Sequence, residues 1–510
     1  MIRLMMQYDE TTHPENSFAF LQQRFANHYE EIFSNDLAEK TVVVIPSLSL
    51  DPEILGTIRG ASYYEERLLC MLMLLRMPRT RVIFVSSVPV DDSIVDYYLH
   101  LLPGITGYHA RQRLTLLSCY DATRVSLTSK VLRRPRLIKR IKEQIKFPEL
   151  AHMICFNETE AETQLALALG IPIYGCDPAL WPMGNKSGSR RIFRKLNLNL
   201  PPGIEDLYTE EDIANALVCL KSEHPDLRKA VVKINDGFSG EGNAIFRYEH
   251  VFQGGRDPVE EVLNALPGHL SIVAANVSYQ AFLGKFRKMG GIVEAFIEGE
   301  NKESPSVQCR ITPLGVSEVI STHDQLLGGE SGQVFLGATF PASHEYTREI
   351  AEMGKQVADE LKEYGVLGRF SVDFISVKVA SGWMHYAIEI NLRKGGTTHP
   401  FLMLQFLTDG EFNWKEGLYV MPNGQSRCYF ASDNIMSERY IGLTPHDLID
   451  IAHCNQIQFD GATQCGVMFH MIGALSQYGK LGLVCIGKNH EEARAFLEKT
   501  VDVLNAACAT

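Results

Sequence analysis

Two segments near residue 380 carry charged and amide side chains at the spacing of a β-hairpin. Every second residue is polar or charged in both of them, namely Arg369, Ser371 and Asp373 in the first and Glu389, Asn391 and Arg393 in the second. Because side chains alternate between the faces of a strand, an antiparallel pair places this set on one surface. A half-buried strand pair with a solvated polar face explains the alternation but not these residue types. Mg²⁺ takes one or two carboxylates and completes its shell with water and phosphate oxygens, so the pattern predicts a metal–nucleotide site.

A glycine-rich segment lies upstream, between strand-like runs at 230–234 and 244–248. Lys233 lies near the end of the first run, and three of the residues in the loop 235–243 are glycines. Glycines let backbone N–H groups approach phosphate oxygens and form an anion-binding nest. The loop is not a Walker A motif, since no Gly-Lys-Ser/Thr follows, nor a Rossmann fingerprint, since no helix opens after it. A glycine-rich hairpin turn is common, but with Lys233 and the downstream carboxylates this one indicates a lid over a nucleotide.

The order and spacing of these segments resemble the ATP-grasp superfamily of carboxylate–amine ligases over roughly residues 185 to 405. The resemblance implies phosphate-binding lysines, a glycine-rich lid over 235–243 and an adenine-holding hinge at 293–299. The residues that it assigns to ATP are Lys186, Lys233, Gly237, Ser239, Gly240, Gly242, Glu294, Phe296 and Ile297.

The same resemblance implies the chemistry downstream. It assigns magnesium to Asp373, Glu389 and Asn391, with Mn²⁺ as an expected substitute. The residues that it implies for catalysis, by contact with phosphate, the carboxylate or the acyl phosphate or through the loop that follows, are Arg393, Lys233, Gly395 and Gly396. Arg369, on the polar face of the hairpin, is also expected to be catalytic. No dedicated general base is identifiable from the sequence.

A third group of residues is expected at the substrates. Its members are Arg310, His323, Asp324, Lys394, Thr397 and His399, the last being an unsupported candidate for a base. Arg310 lies on the polar face of a strand, and the His323-Asp324 pair follows that strand on the chain. We therefore hypothesise that Arg310 or the His323-Asp324 pair orients a substrate group. A structural salt bridge and turn explains the same residues equally well.

The resemblance extends to the pheganomycin-type peptide ligases and then covers nearly the whole chain from about residue 40. The segments that carry it are 46–50, 64–67, 97–104, 304–308, 321–325 and 466–475. It implies ATP-dependent peptide or amide bond formation between a small-molecule carboxylate and an amine, through an acyl phosphate, with release of ADP and phosphate. It does not identify either substrate.

Strand-like runs at 41–46, 81–87 and 152–156 alternate with helical stretches and predict a mainly parallel sheet. The expected class is therefore α/β, with an ATP-grasp fold, an N-terminal pre-ATP-grasp α/β domain and a small C-terminal α+β domain. The expected segments are a helical arm at 1–40, the pre-ATP-grasp domain at 41–180, the ATP-grasp domain at 181–410 and the C-terminal domain at 411–510.

Composition narrows the class of protein. The chain has 510 residues, 45% of them hydrophobic, and can bury substantial cores. Its net charge of −12 argues against nucleic-acid binding, which depends on neutralising phosphates. Eleven cysteines without a CxxC pair indicate reduced thiols and neither a zinc site nor a disulfide framework. With no membrane-length apolar run and no signal-peptide pattern, we expect a cytoplasmic protein that does not bind membranes; a homodimer stays open.

Other interpretations remain. The basic run Lys130–Lys146 has apolar residues at helical spacing and suits a membrane, nucleic acid or acidic partner, but a core-packed helix with a solvated charged face is favoured. His470 is interpreted as a core or interface histidine and not as a ligand. For function, the alternatives to a ligase are an ATP-binding sensor without catalysis and a small-molecule kinase.

Overall fold

The computed structural model describes residues 17–237, 242–252, 254, 257–274, 277–328 and 334–508. The chain divides into two compact units. One comprises Met1–Pro178 with Thr312–Val316, and the other comprises Ala179–Ile311 and Ser317–Thr510.

The first unit is built on a parallel sheet. Its strands are β1 (Thr41–Ile45), β2 (Arg81–Ser86), β3 (Leu114–Ser118) and β4 (Ala151–Cys155), in the order β3-β2-β1-β4. Its helices are α1 (Phe18–Ser34), α2 (Pro52–Thr57), α3 (Asp92–His100), α4 (Gly107–Arg111), α5 (Leu127–Leu132), α6 (Pro135–Gln144) and α7 (Glu160–Leu169), with 3-10 segments at Ala61–Arg76 and Pro148–Leu150. The pairs β1–β2, β1–β4 and β2–β3 are all parallel, which confirms the predicted α/β layer.

Continuous apolar strands explain the burial of this sheet. Every residue of β1 and of β4 is buried, as expected where helices cover both faces of a parallel sheet. Helix α6 contributes Leu137 and Ile141 to the same core, whereas Lys139 and Arg140 are exposed. The basic run is therefore the core-packed helix that the sequence favoured.

The second unit begins with an antiparallel sheet. Its strands are β5 (Gly203–Leu207), β6 (Lys229–Ile234), β7 (Asn243–Arg247), β8 (Leu270–Ile272) and β9 (Gly291–Ala295), in the order β5-β9-β6-β7-β8. The helices of this region are α8 (Lys186–Lys195), α9 (Glu210–Glu223), α10 (Pro258–His269) and α11 (Tyr279–Met289). Leu217, Phe246 and Phe282 are fully buried in one apolar cluster between helices and sheet. In the hairpin β6–β7, Lys233 is opposite Asn243, so the lysine lies where the predicted lid begins.

A larger sheet completes the second unit. Its strands are β10 (Lys302–Glu303), β11 (Pro305–Ile311), β12 (Ser317–Gly328), β13 (Val334–Phe340), β14 (Gly368–Val379), β15 (Gly382–Asn391), β18 (Cys428–Met436), β19 (Gly466–His470) and β20 (Lys480–Gly487), while β16 (Glu411–Asn413) pairs with β17 (Leu418–Val420). Its helices are α12 (Thr347–Glu363), α13 (Thr398–Thr408), α14 (Pro445–Cys454), α15 (Leu475–Tyr478) and α16 (His490–Ala507). The main path runs β10-β14-β11-β12-β13-β18-β20-β19, with β15 on the other side of β14.

The predicted boundary at residue 410 does not separate compact units. Strand β18 pairs with β13, with Phe340 opposite Tyr429, so residues beyond 410 continue the sheet that holds the polar hairpin. The pairing covers backbone groups that an edge strand would expose. Among the described helices, none is long and apolar enough to cross a membrane.

Candidate active site

The predicted polar hairpin is present as β14 and β15. Asp373 is opposite Glu389, and Ser371 is opposite Asn391. A bulge follows Asp373 and leaves Ile388 without a direct cross-strand partner. The bulge lies outside the pairs Asp373–Glu389 and Ser371–Asn391, so it does not disturb the polar face. The three predicted metal ligands therefore lie together on neighbouring strands.

Asp373 is held by two amide side chains. The Nδ2 atom of Asn391 donates to Asp373 Oδ2 at 3.0 Å, and the Nε2 atom of Gln325 donates to Asp373 Oδ1 at 3.1 Å. Gln325 lies on β12 and was not among the predicted residues. Its contact depends on the order β14-β11-β12, which no local pattern reveals.

Negative charge is concentrated at this position. Burial and the neighbouring Glu389 raise the pKa of Asp373 to about 7, against the opposing effect of Arg393 and the two amides. Burial also raises the pKa of Asp236 to about 6; the positive charge of Lys186 lowers this pKa and partly offsets the increase, while Glu389 adds to it. Carboxyl groups that hinder one another's ionisation gain from a nearby divalent cation, and their oxygens are the ligands that Mg²⁺ prefers. The donor set therefore fits Mg²⁺.

Lys186 approaches the carboxylates from the start of helix α8. Asn185 caps this helix by accepting from the backbone N–H of Gly188 at 2.7 Å. The Nζ atom of Lys186 is buried and lies 3.1 Å from Glu389 Oε1. A Cβ atom added to Gly237 would lie 3.6 Å from the same Nζ, so the lysine is also beside the first glycine of the predicted lid.

The start of the lid is fastened to helix α8. The side-chain oxygen of Asn235 accepts from the backbone N–H and the hydroxyl of Ser187 at 3.0 and 2.8 Å. On the other side of the loop, Gly242 accepts from the backbone N–H of Ile234 at 2.8 Å. Ser239 and Gly240, two predicted ATP contacts, lie outside the described residues.

Lys233 is oriented by a buried glutamate. Its Nζ atom lies 2.5 Å from Glu294 Oε1, while the Nη1 atom of Arg190 lies 3.0 Å from Glu294 Oε2. In this structure both oxygens of Glu294 are engaged by cations, and the backbone N–H of Phe296 donates to Lys229 at 3.1 Å. These contacts indicate that Glu294 positions Lys233; contact of Glu294, Phe296 and Ile297 with adenine stays a prediction.

The loop after β15 is ordered by its own threonines. The backbone N–H of Gly395 donates to Thr398 Oγ1 at 3.0 Å, and Gln308 Nε2 donates to Thr397 Oγ1 at 3.0 Å. A Cβ atom on Gly396 would come within 2.8 Å of the Phe335 ring, so a larger residue here would require that ring to move. The N–H of Gly395, a residue expected to take part in catalysis, is thus engaged within the loop in this structure.

The two remaining arginines lie along the sheet from the carboxylates. Arg310 on β11 is opposite Arg369 on β14, and Arg310 Nη2 lies 2.6 Å from Glu318. Arg369 lies four positions before Asp373 on the same strand, which corresponds to about 13 Å. The catalytic role predicted for Arg369 and the substrate role predicted for Arg310 stay predictions, and the Glu318 contact favours a structural role for Arg310.

His323 and Asp324 do not act as a pair in this structure. His323 Nε2 lies 2.7 Å from the hydroxyl of Tyr429, and burial lowers the pKa of this histidine to about 3. Asp324 accepts from the Tyr346 hydroxyl at 2.7 Å and from the backbone N–H of Ser343 at 2.9 Å. These contacts favour the structural alternative over the substrate hypothesis.

His399 lies in the first turn of α13, where it contacts a second buried histidine and a buried aspartate. Its Nε2 atom is 2.9 Å from His470 Nε2 and 3.3 Å from Asp433 Oδ1. Burial opposes ionisation of Asp433, but the two histidines outweigh it and hold the pKa of Asp433 well below its usual range. The cluster was not predicted, because Asp433 showed no distinguishing local pattern.

Two family models match parts of this sequence. One, described as IQCH-like ATP-grasp, matches residues 182–253 and 257–415. The other, described as the PGM1 C-terminal domain, matches residues 447–500. The first covers the loop 235–243 and the hairpin β14–β15, and the second covers β19, β20 and part of α16.

Two curated relatives cover much of the chain. An L-propargylglycine–L-glutamate ligase from Streptantibioticus cattleyicolor is 26% identical over 466 residues, which are 89% of this chain and 92% of the relative. IQ motif-containing protein H from Danio rerio is 25% identical over 448 residues, which are 79% of this chain and 42% of that longer protein.

Solved structures share the fold. A biotin carboxylase from Campylobacter jejuni, in complex with a β,γ-ATP analogue, has a TM-score of 0.55 at 14% identity, over 92% of this chain and 95% of that one. The biotin carboxylase domain of 2-oxoglutarate carboxylase from Hydrogenobacter thermophilus, in complex with ADP, magnesium and bicarbonate, has a TM-score of 0.54 at 13% identity, over 91% and 89% of the two chains.

Proposed function

We propose that this chain is an ATP-grasp ligase, which joins a small-molecule carboxylate to an amine in an ATP-dependent reaction that releases ADP and phosphate; the match to the IQCH-like ATP-grasp model and the relative from Streptantibioticus cattleyicolor support this. The observation that carries the proposal is the meeting of Asp373, Glu389 and Lys186 beside the first glycine of the lid. The relative from Streptantibioticus cattleyicolor, named as an amino acid–amino acid ligase, supports peptide bond formation as the specific activity.

Asp373, Glu389 and Asn391 would hold Mg²⁺. The raised pKa of Asp373 beside Glu389 supports this assignment, because a divalent cation offsets the repulsion of two neighbouring carboxylates. When bound, the ion supplies Lewis-acid polarisation of the ATP phosphates. Mn²⁺, which also prefers oxygen ligands, is proposed as a substitute.

In the first step the substrate carboxylate oxygen attacks the γ-phosphorus of ATP. The bond between that phosphorus and the β,γ-bridging oxygen breaks, giving an acyl phosphate and ADP. Phosphoryl transfer requires mainly positioning and charge stabilisation from the protein. Lys186 is placed beside the lid to contact the phosphates, and Glu294 orients Lys233 toward the same task.

In the second step the amine nitrogen attacks the acyl carbon. The amine loses a proton, the carbon–oxygen bond to phosphate breaks, and phosphate leaves. Arg393 follows Asn391 on the chain and lowers the pKa of Asp373 by its charge, so it lies close enough to balance negative charge at the reacting group. Closure of the loop 235–243 would exclude the water that hydrolyses an acyl phosphate.

The alternatives make different demands on the site. A sensor without catalysis would dispense with a metal ligand or a phosphate lysine, whereas Lys186, Lys233, Asp373, Glu389 and Asn391 are all present. A small-molecule kinase would stop at phosphoryl transfer, so ADP release would require the carboxylate but not the amine.

The test is ADP release with Mg²⁺ and ATP across a matrix of amino acids and short peptides, with mass spectrometry of each mixture. A ligase gives a product with the mass of both substrates minus water, and ADP release that requires both. ADP release with a phosphorylated single substrate as the stable product would identify a kinase. ATP binding without ADP release across the matrix would contradict the ligase proposal.

A further inference from the structure

Three ligand-type side chains meet in the interior of the second unit, apart from the proposed ATP site. His399 begins α13, Asp433 lies in β18 and His470 ends β19. All three residues are buried, and Lys394–Thr398, the loop expected to cradle the acyl phosphate, immediately precedes His399. Arg393, Gly395 and Gly396, the expected catalytic residues that precede it on the chain, do not belong to the cluster.

The ligand atoms converge on one point. Asp433 Oδ1 lies 2.6 Å from His470 Nε2 and 3.3 Å from His399 Nε2, and the two Nε2 atoms are 2.9 Å apart. A tetrahedral zinc ion with bonds of 2.0–2.2 Å separates its ligand atoms by about 3.3 Å. A small movement apart would therefore admit such an ion.

Proton counting explains why an ion suits this arrangement. A neutral imidazole carries one N–H and one lone pair. Two Nε2 atoms 2.9 Å apart that face the same carboxylate oxygen cannot both direct a hydrogen toward it without bringing those hydrogens together. A cation instead accepts one lone pair from each of the three groups.

The backbone around His470 is shaped for its imidazole. Gly482 on β20 is the cross-strand partner of His470, and a Cβ atom at Gly482 would come within 2.1 Å of His470 Nε2. The ring thus lies directly against the neighbouring strand, in a space that a glycine leaves open. This close approach holds Nε2 toward Asp433 and His399.

We propose that His399, Asp433 and His470 bind one Zn²⁺ ion with a structural role. Imidazole and carboxylate together suit zinc, whereas Mg²⁺ takes oxygen ligands and usually keeps several waters. The three side chains leave a fourth tetrahedral position, which a water molecule would take, and their burial leaves little access for a substrate, so the role we assign is structural. The ion would connect the first turn of α13, in the region matched by the ATP-grasp model, to β19, in the region matched by the C-terminal model.

The experiment measures metal in the full-length chain after removal of any polyhistidine tag. Elemental analysis is expected to find about one zinc per chain, as for a single structural site. Asp433→Asn and His470→Gln are expected to lose most of it. Glu389→Ala is the matched control, because zinc held by the carboxylates of the ATP site would be lost in that variant and zinc held by the cluster would not.

A second measurement is independent of whether the variants fold well. The wild-type chain is stripped with a chelator and its melting temperature is followed while Zn²⁺ or Mg²⁺ is added. Because an ion that binds the folded chain stabilises it, Zn²⁺ is expected to raise the melting temperature. Mg²⁺ is expected not to reproduce the part of this increase that comes from binding at the cluster. Co²⁺ substitution is expected to give the visible absorption of a four-coordinate nitrogen–oxygen site.

Two results would overturn the proposal. One is a wild-type chain that carries no zinc and shows neither stabilisation by Zn²⁺ nor a cobalt spectrum. The other is a zinc content that Asp433→Asn and His470→Gln leave unchanged while Glu389→Ala removes it. Either would make the cluster an internal hydrogen-bond network, in line with the core histidine expected at His470.

Discussion

Glu389 is the residue on which the charges of the proposed ATP site depend most directly. It is opposite Asp373 in the hairpin, contacts Lys186 at 3.1 Å, and raises the pKa of both Asp373 and Asp236. Removing this one carboxylate therefore changes the cation affinity of the site and frees Lys186 from its partner, while the strand backbone is untouched.

Glu389→Ala is expected to lower ATP-dependent turnover by at least about 100-fold, since loss of a metal-bridging carboxylate removes several kcal/mol of transition-state stabilisation. The measurement is the ADP release rate, with circular dichroism to establish folding. Glu345→Ala is the control, because Glu345 is exposed and contacts Lys378 and Trp383 at the other end of the same hairpin. Equal activity in the two variants would contradict the metal assignment.

Glu65, in the first unit, lies in an environment that favours the neutral, protonated form of its carboxyl group. Its carboxylate accepts from the backbone N–H and the hydroxyl of Ser87 at 2.7 and 2.6 Å. Burial nevertheless raises the pKa to about 7, against these hydrogen bonds and the charge of Lys130. The folded chain therefore retains a proton that the unfolded chain loses near pH 4.5.

Stability is expected to fall as the pH rises from about 4.5 to 7, because in that window the folded state binds more protons than the unfolded state. The shift corresponds to about 3 kcal/mol at full effect. Glu65→Gln removes this titration, so its free energy of unfolding relative to wild type should increase between pH 5 and pH 8 in urea denaturation. Glu30→Gln, at an exposed position in α1, should show no such trend. Parallel pH profiles for wild type and Glu65→Gln would refute the assignment.

At the scale of elements, the buried Glu294 connects helix and sheet around Lys233. Arg190 of α8, Lys233 of β6 and Glu294 of β9 form one ion-pair network with little exposure to solvent. Removing Glu294 takes away the carboxylate that pairs with Lys233 in a poorly solvated place, whereas Arg190 keeps Glu205 at 3.2 Å. The network therefore links the stability of these elements to the position of a proposed phosphate lysine.

Glu294→Gln is expected to reduce the free energy of unfolding by about 3 kcal/mol, measured by urea denaturation. Glu298→Gln provides a matched comparison on the same segment. Its carboxylate pairs with Arg228 and Lys229 at the surface, where ion pairs contribute at most about 1 kcal/mol. If both variants lost the same free energy of unfolding, the buried network would stabilise the fold no more than a surface ion pair does.

At the scale of the whole molecule, the sheet that holds the proposed metal ligands continues beyond the region matched by the ATP-grasp model. Strand β18 pairs with β13, and β20 and β19 follow. The Phe340 and Tyr429 rings stack at 5.1 Å across that junction, and both residues are buried. The C-terminal strands thus complete the core behind the hairpin.

A chain truncated after Gly410 is expected to aggregate, because β13 would become an exposed edge with an uncovered apolar face. Size-exclusion chromatography and circular dichroism of the 1–410 chain test this, and co-expression with residues 411–510 should restore soluble material. A monomeric, cooperatively folded 1–410 chain would show instead that the C-terminal region is an independent domain, as the sequence predicted.

The sequence by itself determined those features that arise from short-range rules. Strand alternation placed Asp373, Glu389 and Asn391 on one face, because side-chain direction has a period of two residues wherever the strands pair. Apolar runs predicted the parallel layer of the first unit for the same reason. Motif order then indicated the superfamily.

Tertiary structure alone decided the contacts that join distant segments. Gln325 reaches Asp373 through the strand order, and Glu294 is engaged by Lys233 and Arg190 from two other elements. His399 and His470 are 71 residues apart and meet only because α13 and β19 converge on Asp433. Such meetings depend on how whole elements pack, and the local period of a sequence carries no information about that packing.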